Sequence, residues 1–253
     1  MSELLFVGAG LGDERDLPPR SWAALRSCGA VFLEEYTSQL GAPALRQLET
    51  ELAVPLVRLD RVRFESGKDV LEALDHHPRV GVLVIGDPFA ATTHVALRLE
   101  AEARGHRWSY FPGASVFTAV PGFLGLSQYR FGRTVSIPFP TPGFRPTSPL
   151  EAVLKNRASN LHSLVLLDLD PNRRAFLAPS DALNQLAEDP SGLSRSTEVA
   201  VAARVGRTDA QAWYGTVDQI QKVDVGLPLH SLVVPAPELH FVEAAALERF
   251  RVR

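Results

Sequence analysis

Residues 80–94 read VGVLVIGDPFAATTH, and this stretch decides the fold. The unbroken aliphatic run from Val80 to Ile85 is what a strand buried on both faces requires. Gly86-Asp87-Pro88 then breaks it, because glycine admits turn conformations and proline cannot continue a strand's hydrogen bonding. The hydroxyls of Thr92 and Thr93 follow as the chain enters a helix. In an open α/β sheet, ligands sit at the carboxyl edge of the strands. The same residues also serve as turn formers and helix caps, and from this stretch alone both readings stand.

Strand and helix patterns alternate outward from it. Residues 4–7 are an apolar run ending in Gly8-Ala9-Gly10-Leu11-Gly12. The Gly-x-Gly-x-Gly spacing approaches a dinucleotide fingerprint, which needs a helix opening directly on the glycines. Asp13-Glu14-Arg15-Asp16 and Pro18-Pro19 intervene, so the glycines are expected to form a close backbone approach and not a phosphate cradle. A helix is expected from Pro19, strands over 30–34, 55–59 and 108–111, and helices over 41–52, 69–74 and 95–104. That alternation predicts parallel βαβ units in a first α/β domain, residues 1–112.

Residues 113–253 are expected to form a second α/β domain with a mixed sheet. Its strands fall over 134–139, 163–169, 198–205 and 230–234, with helices over 150–157, 180–188 and 216–222 and a terminal HFVEAAALERF helix. Pro138, Pro140, Pro142, Pro146 and Pro149 punctuate a loop that no regular element tolerates.

Composition limits the function classes. Hydrophobic residues at 45% and charged residues at 22% are those of a globular chain. A net charge of -3 supplies no overall field toward nucleic acid or an anionic membrane. The single cysteine, Cys28, excludes an internal disulfide and a Cys-clustered zinc site, is expected to be a buried structural thiol, and points to a reducing cytoplasm. MSELLFVGAG has no basic region before its apolar residues and fails as a signal peptide. No apolar stretch approaches the roughly 18 residues of a membrane span. His76-His77 is expected in a solvated loop, since neighbours in an extended chain point to opposite sides.

Five stretches taken together, VGAGLGDERDL, EEYTS, GDPFAATTH, the GASV segment before QYRFG, and LHSLVVPAPELHFVEAAAL, resemble the diphthine synthase family. That family belongs to the tetrapyrrole-methylase-like group of S-adenosylmethionine-dependent methyltransferases. The resemblance runs in order from Leu5 to Leu247. Asp-Glu-Arg-Asp, Tyr-Thr-Ser and Ala-Thr-Thr-His are its specific part. It implies two α/β domains with a cofactor cleft between them, S-adenosylmethionine as methyl donor, a homodimer, and the amino group of a modified histidine of translation elongation factor 2 as the methylated site.

By the same resemblance, the cofactor-contact positions are Leu11, Asp87, Ala90, Ser115, Val116, Leu167, Val205 and His230. Asp87 is expected to hold the cofactor's polar parts, Thr92 and Ser115 to donate to its carboxylate, and His230 to bond its adenine or ribose. Tyr36, Thr37, Ser38 and His94 are expected on the substrate side, with Arg130, Arg133 and Arg145 meeting an acidic face of the partner. Water or a nearby carboxylate could accept the amine's proton, so no catalytic residue is named, and no metal is expected. A precorrin- or porphyrin-type methyltransferase and a non-catalytic S-adenosylmethionine-binding module remain the alternatives.

Overall fold

The computed structural model describes all residues except Pro142, Phe144, Arg145, Pro171, Asn172 and Arg174. The chain divides into two compact units, Met1–Ser115 and Val116–Arg253.

The first unit runs β1 (Glu3–Gly8), α1 (Pro19–Arg26), β2 (Ala30–Glu34), α2 (Ala42–Leu52), β3 (Leu56–Leu59), α3 (Arg61–Ser66), α4 (Lys68–His76), β4 (Arg79–Val84), α5 (Val95–Ala103) and β5 (Arg107–Phe111). Its five strands lie in the order β3-β2-β4-β1-β5 and pair in parallel throughout. Successive side chains of a strand face opposite sides, and the two cores follow that alternation. Leu4, Phe6, Phe32, Val80, Val82 and Val84 pack with Phe64, Val70, Leu71, Leu74 and Leu97 on one face. Leu5, Val7, Val31, Leu33 and Leu83 pack with Leu25, Leu45, Leu48 and Leu52 on the other. Burial on both faces explains the continuous apolar runs, each buried large side chain contributing about 1.5–3 kcal/mol. Cys28 lies in the second core, where burial raises its thiol to about 11 and leaves it inert.

The second unit runs α6 (Val116–Leu124), β6 (Val135–Ile137), α7 (Ser148–Ala158), β7 (Ser163–Leu167), β8 (Leu169–Asp170), β9 (Ala175–Phe176), α8 (Pro179–Ala187), β10 (Glu198–Ala203), β11 (Gln211–Thr216), α9 (Val217–Ile220), β12 (His230–Val234) and α10 (Phe241–Glu248). Its main sheet has the order β11-β10-β12-β7-β6. It is mixed, as expected: β6 pairs parallel with β7, and the other pairs are antiparallel. Val165, Val199, Val201, Leu232 and Val234 face a core with Val153, Leu183, Leu186 and Ile220. Leu164, Ala200, Ala202 and Val233 face Val120, Leu124, Tyr214 and Leu247.

Four elements, α3, α6, β9 and β11, were not expected from the sequence, and β9 pairs antiparallel with β8. α3 is a short, mostly polar turn of helix anchored by buried Phe64. α6 contains Pro121. β11 precedes α9, whose Thr216 and Gln219 form a capping box. His76 lies in the last turn of α4 and His77 caps it, and among the described residues no group of three acidic, His or Cys side chains is arranged to hold a metal. Among them, too, no helix is long and apolar enough to cross a membrane.

Candidate active site

The glycine turn after β1 folds back on its own acidic motif. The Leu11 and Gly12 N–H groups donate to Asp16 Oδ2 at 3.0 and 2.8 Å. A Cβ on Gly10, whose φ is +74°, would stand 2.6 Å from the Asp16 side chain. The amides that a phosphate would need are therefore bonded to Asp16, and the turn is a backbone approach. Asp13 supports it by accepting from the Arg15 N–H and guanidinium.

Three strand ends converge on glycine. The Gly86 N–H donates to Gly10 O at 2.7 Å, and Gly10 N–H to Gly86 O at 3.3 Å. A Cβ on Gly113 would lie 2.2 Å from Gly86 O and 2.8 Å from Gly8 Cα. Only bare backbone fits at that convergence. Gly86 itself, at φ +85°, looks onto space bounded by Leu11 Cδ2 and Ala114 O, each 3.9 Å from where its Cβ would be. Leu11, the Gly86-Asp87 corner and the Ala114-Ser115 segment thus gather at the carboxyl edge of the parallel sheet.

Asp87 organises this edge. Its Oδ1 accepts from Phe89 N–H at 2.9 Å, and its Oδ2 accepts from the Tyr110 hydroxyl at 2.5 Å and the Gly113 N–H at 3.2 Å. Burial, followed by the bond to Asp87, raises the Tyr110 hydroxyl to about 12, so it stays a donor. Ala90 sits within the same turn, its N–H on Asp87 O at 3.2 Å.

The Thr-Thr-His segment departs from its expected role. The Thr92 hydroxyl donates to Pro88 O at 2.6 Å, so its proton is used within the corner. His94 is 1% exposed and its ring packs 4.6 Å from Phe64. Its Nδ1–H donates to Pro88 O at 2.8 Å, while Nε2 is buried without a partner. Burial pulls its pKa down to about 4, so it is neutral near pH 7 and faces the core, not a substrate. Glu34, 0% exposed at the end of β2, holds the adjoining motif: it accepts from the Tyr36 and Thr37 N–H groups and from the Thr37 hydroxyl. Burial raises its pKa against those bonds. Tyr36 packs its ring on Phe64 at 5.9 Å.

In the second unit, Leu167 ends β7, His230 opens β12 and Val205 follows β10. The ladders pair Ala203 with His230 and Leu166 with Ser231, so these three candidates share one edge of the mixed sheet. His230 Nε2 donates to Val225 O at 3.0 Å, leaving Nδ1 as the acceptor. Burial lowers its pKa. Val116 opens α6 and packs against the core beneath it.

Arg130 is not free to meet an acidic face. Its guanidinium pairs with buried Glu243 and donates to Glu238 O at 2.7 Å. Arg133 is exposed, and Arg145 lies outside the described residues. Sequence reading also missed Tyr110, Asp16 and Glu34 as organisers. Each acts on a partner that hydrophobic periodicity does not encode.

A parallel sheet with a glycine-lined carboxyl edge, in a chain with a second mixed-sheet unit, defines an α/β protein of two units, and residues 3–221 match the family described as Tetrapyrrole (Corrin/Porphyrin) Methylases. The class is that of a methyltransferase. Diphthine synthase of Methanosphaerula palustris is 40% identical over 248 residues, covering 98% of each chain. That of Methanocorpusculum labreanum is 37% identical over 249 residues, with the same coverage. A crystal structure of diphthine synthase superposes with a TM-score of 0.86 at 32% identity, covering 99% of this chain and 96% of that one. The chain belongs to the tetrapyrrole methylase family and, within it, to the diphthine synthases.

Proposed function

We propose that the protein transfers methyl groups from S-adenosylmethionine to the amino group of a modified histidine side chain on translation elongation factor 2, the diphthine-forming step of diphthamide synthesis. The observation that carries this reading is the gathering of Leu11, the Gly86-Asp87 corner and Ala114-Ser115 at one strand edge, in a chain of diphthine synthase descent. The arrangement fits the donor. The bare backbone of Gly86 and the Leu11 side chain offer an apolar wall without a Cβ in the way. At the edge of the second sheet, His230 Nδ1 offers an acceptor beside the apolar side chains of Leu167 and Val205.

S-adenosylmethionine supplies a methyl carbon already activated by its sulfonium. The chain's own task is then to align the acceptor amine, exclude water and hold polar groups in place. Asp87, fixed by three donors, sets the corner rigidly. No side-chain nucleophile is needed, and water or a nearby carboxylate takes the amine's proton. The same family descent supports a homodimer in the cytoplasm, with light scattering as the check on the dimer.

The test is mass spectrometry of elongation factor 2 carrying the aminocarboxypropyl-histidine. Incubation with the protein and S-adenosylmethionine should add whole methyl increments. No mass change on correctly premodified factor would sink the reading.

A further inference from the structure

β10 ends at Ala203, and the chain turns at Arg204 with φ +50°. A residue with a Cβ adopts this left-handed conformation only where its surroundings hold it. Here they do. The Arg204 N–H donates to Leu229 O at 2.8 Å, Nε donates to Asp209 Oδ2 at 2.9 Å and Nη2 to Asp209 O at 3.1 Å, while Nη1 donates to Leu227 O. The guanidinium also packs over Gly226, 3.6 Å from where a Cβ would stand. Its side chain is 8% exposed, although that of Asp209 is 60% exposed.

One buried cation therefore joins two segments that are far apart in sequence. The first is the turn 204–210, in which Val205 directly follows Arg204. The second is 225–229, which leads into His230 and whose Val225 O receives the His230 Nε2 proton. The planar fork of arginine satisfies a carboxylate, two carbonyls and a fixed angle at once, which a lysine ammonium cannot do.

We propose that Arg204 is a positioning residue for the methyl donor, its fork fixing Val205 and His230 in the spacing that binds the cofactor. This rests on the reading that Val205 and His230 face S-adenosylmethionine. The Arg204 guanidinium is engaged by Asp209 and Leu227, so its loss acts through the placement of Val205 and His230 and not through the displacement itself. A staple with no part in binding would instead lower thermal stability and leave affinity alone.

The experiment is calorimetry with S-adenosylhomocysteine on the wild type, R204K, R204Q and D209A, with melting followed by circular dichroism. KM for S-adenosylmethionine and kcat are measured alongside on premodified elongation factor 2. R204Q is expected to weaken binding and raise KM by about tenfold, and R204K and D209A by smaller factors. In each, kcat at saturating donor should stay within about twofold, the signature of lost binding held equally in ground and transition states. A folded R204Q that binds as the wild type does, or a fall in kcat at unchanged KM, overturns the proposal. Should R204Q not fold, wild-type affinity in D209A overturns it as well. A wild type that binds no S-adenosylhomocysteine overturns the functional reading itself, and the proposal with it.

Discussion

The Tyr110 hydroxyl donates to Asp87 Oδ2 across 2.5 Å, fastening β5 to the corner that follows β4. The Tyr110 ring lies 5.1 Å from that of Phe89, two residues beyond Asp87, so the corner is gripped by a bond and a ring contact together. Tyr110→Phe keeps the ring and removes the donor. It should cost about 1 kcal/mol, because Tyr110 is partly exposed and water replaces part of the bond. Cofactor affinity should fall by about three- to tenfold as Asp87 loosens. Urea unfolding and calorimetry read the two effects, and unchanged affinity would separate Asp87 from the cofactor site.

Where Gly8 and Gly113 meet the backbone of Gly86, neither of the two tolerates a side chain. In Gly113→Ala the new methyl would meet Gly86 O at 2.2 Å and Gly8 Cα at 2.8 Å. Both are backbone, so strands must move apart, at a cost of about 2–3 kcal/mol. Gly122→Ala is the matched control. Nothing lies within 4 Å of its Cβ position in α6, and alanine should be neutral or stabilise by up to about 1 kcal/mol. Equal denaturation midpoints for the two variants would contradict the convergence.

Most of the first sheet was legible because its three central strands, β2, β4 and β1, are buried on both faces. The runs around Phe6, Phe32 and Val82 carry no polar interruption that a helix would need. α6 escaped because VFTAVPGFL has an apolar residue at nearly every position and a proline inside, so it shows neither a helical period nor a permitted interior. α3 escaped because RVRFES buries a single side chain. At the site, the Gly-Asp-Pro corner was visible as a break in a strand, whereas its fastening by Tyr110 depends on a residue 23 positions away. The roles of Thr92 and His94 were misjudged for a related reason. Their polar atoms suggested a ligand, but Pro88 O, left without a strand partner at the corner, takes both protons.

His94 makes stability depend on pH. Burial holds it at about 4, against 6.5 when exposed, so below pH 6.5 the unfolded chain binds a proton that the folded chain refuses. Stability is complete above pH 6.5 and declines as pH falls toward 4, by about 3 kcal/mol for this group. His94→Gln removes the titration. Whatever its cost at pH 7.5, the variant should lose less stability than the wild type between pH 6.5 and 4. Parallel urea midpoints across that range would mean that His94 does not titrate as a buried group.

Glu243 should be the most sensitive side chain of the second unit. It is 2% exposed, yet ionised, because four donors surround it. Ser127 N–H reaches Oε1 at 3.0 Å and His240 N–H reaches Oε2 at 3.1 Å. Arg130 pairs with Oε2. The fourth donor is His162, whose Nδ1 accepts from Ala236 N–H at 2.9 Å, so the proton sits on Nε2 and points at Oε1, 3.3 Å away. Desolvation opposes the charge, but the backbone donors and His162 outweigh it and hold the carboxyl at about 2. A carboxylate accepts at both oxygens, whereas an amide accepts at one. Glu243→Gln therefore leaves two of the four donors facing an N–H₂ group, whichever way the amide is turned. The expected loss is about 2–4 kcal/mol, with little dependence on salt because the pair is shielded from solvent. In the wild type, the stabilisation from Glu243 is complete above pH 4.5 and is lost as pH falls from 4.5 through 2, since the folded pKa lies below the unfolded one. Urea unfolding at pH 7 in low and high salt checks the first part, and the wild-type acid limb below pH 4.5 checks the second. A loss under about 0.5 kcal/mol would show that the carboxylate's charge contributes nothing net to the fold.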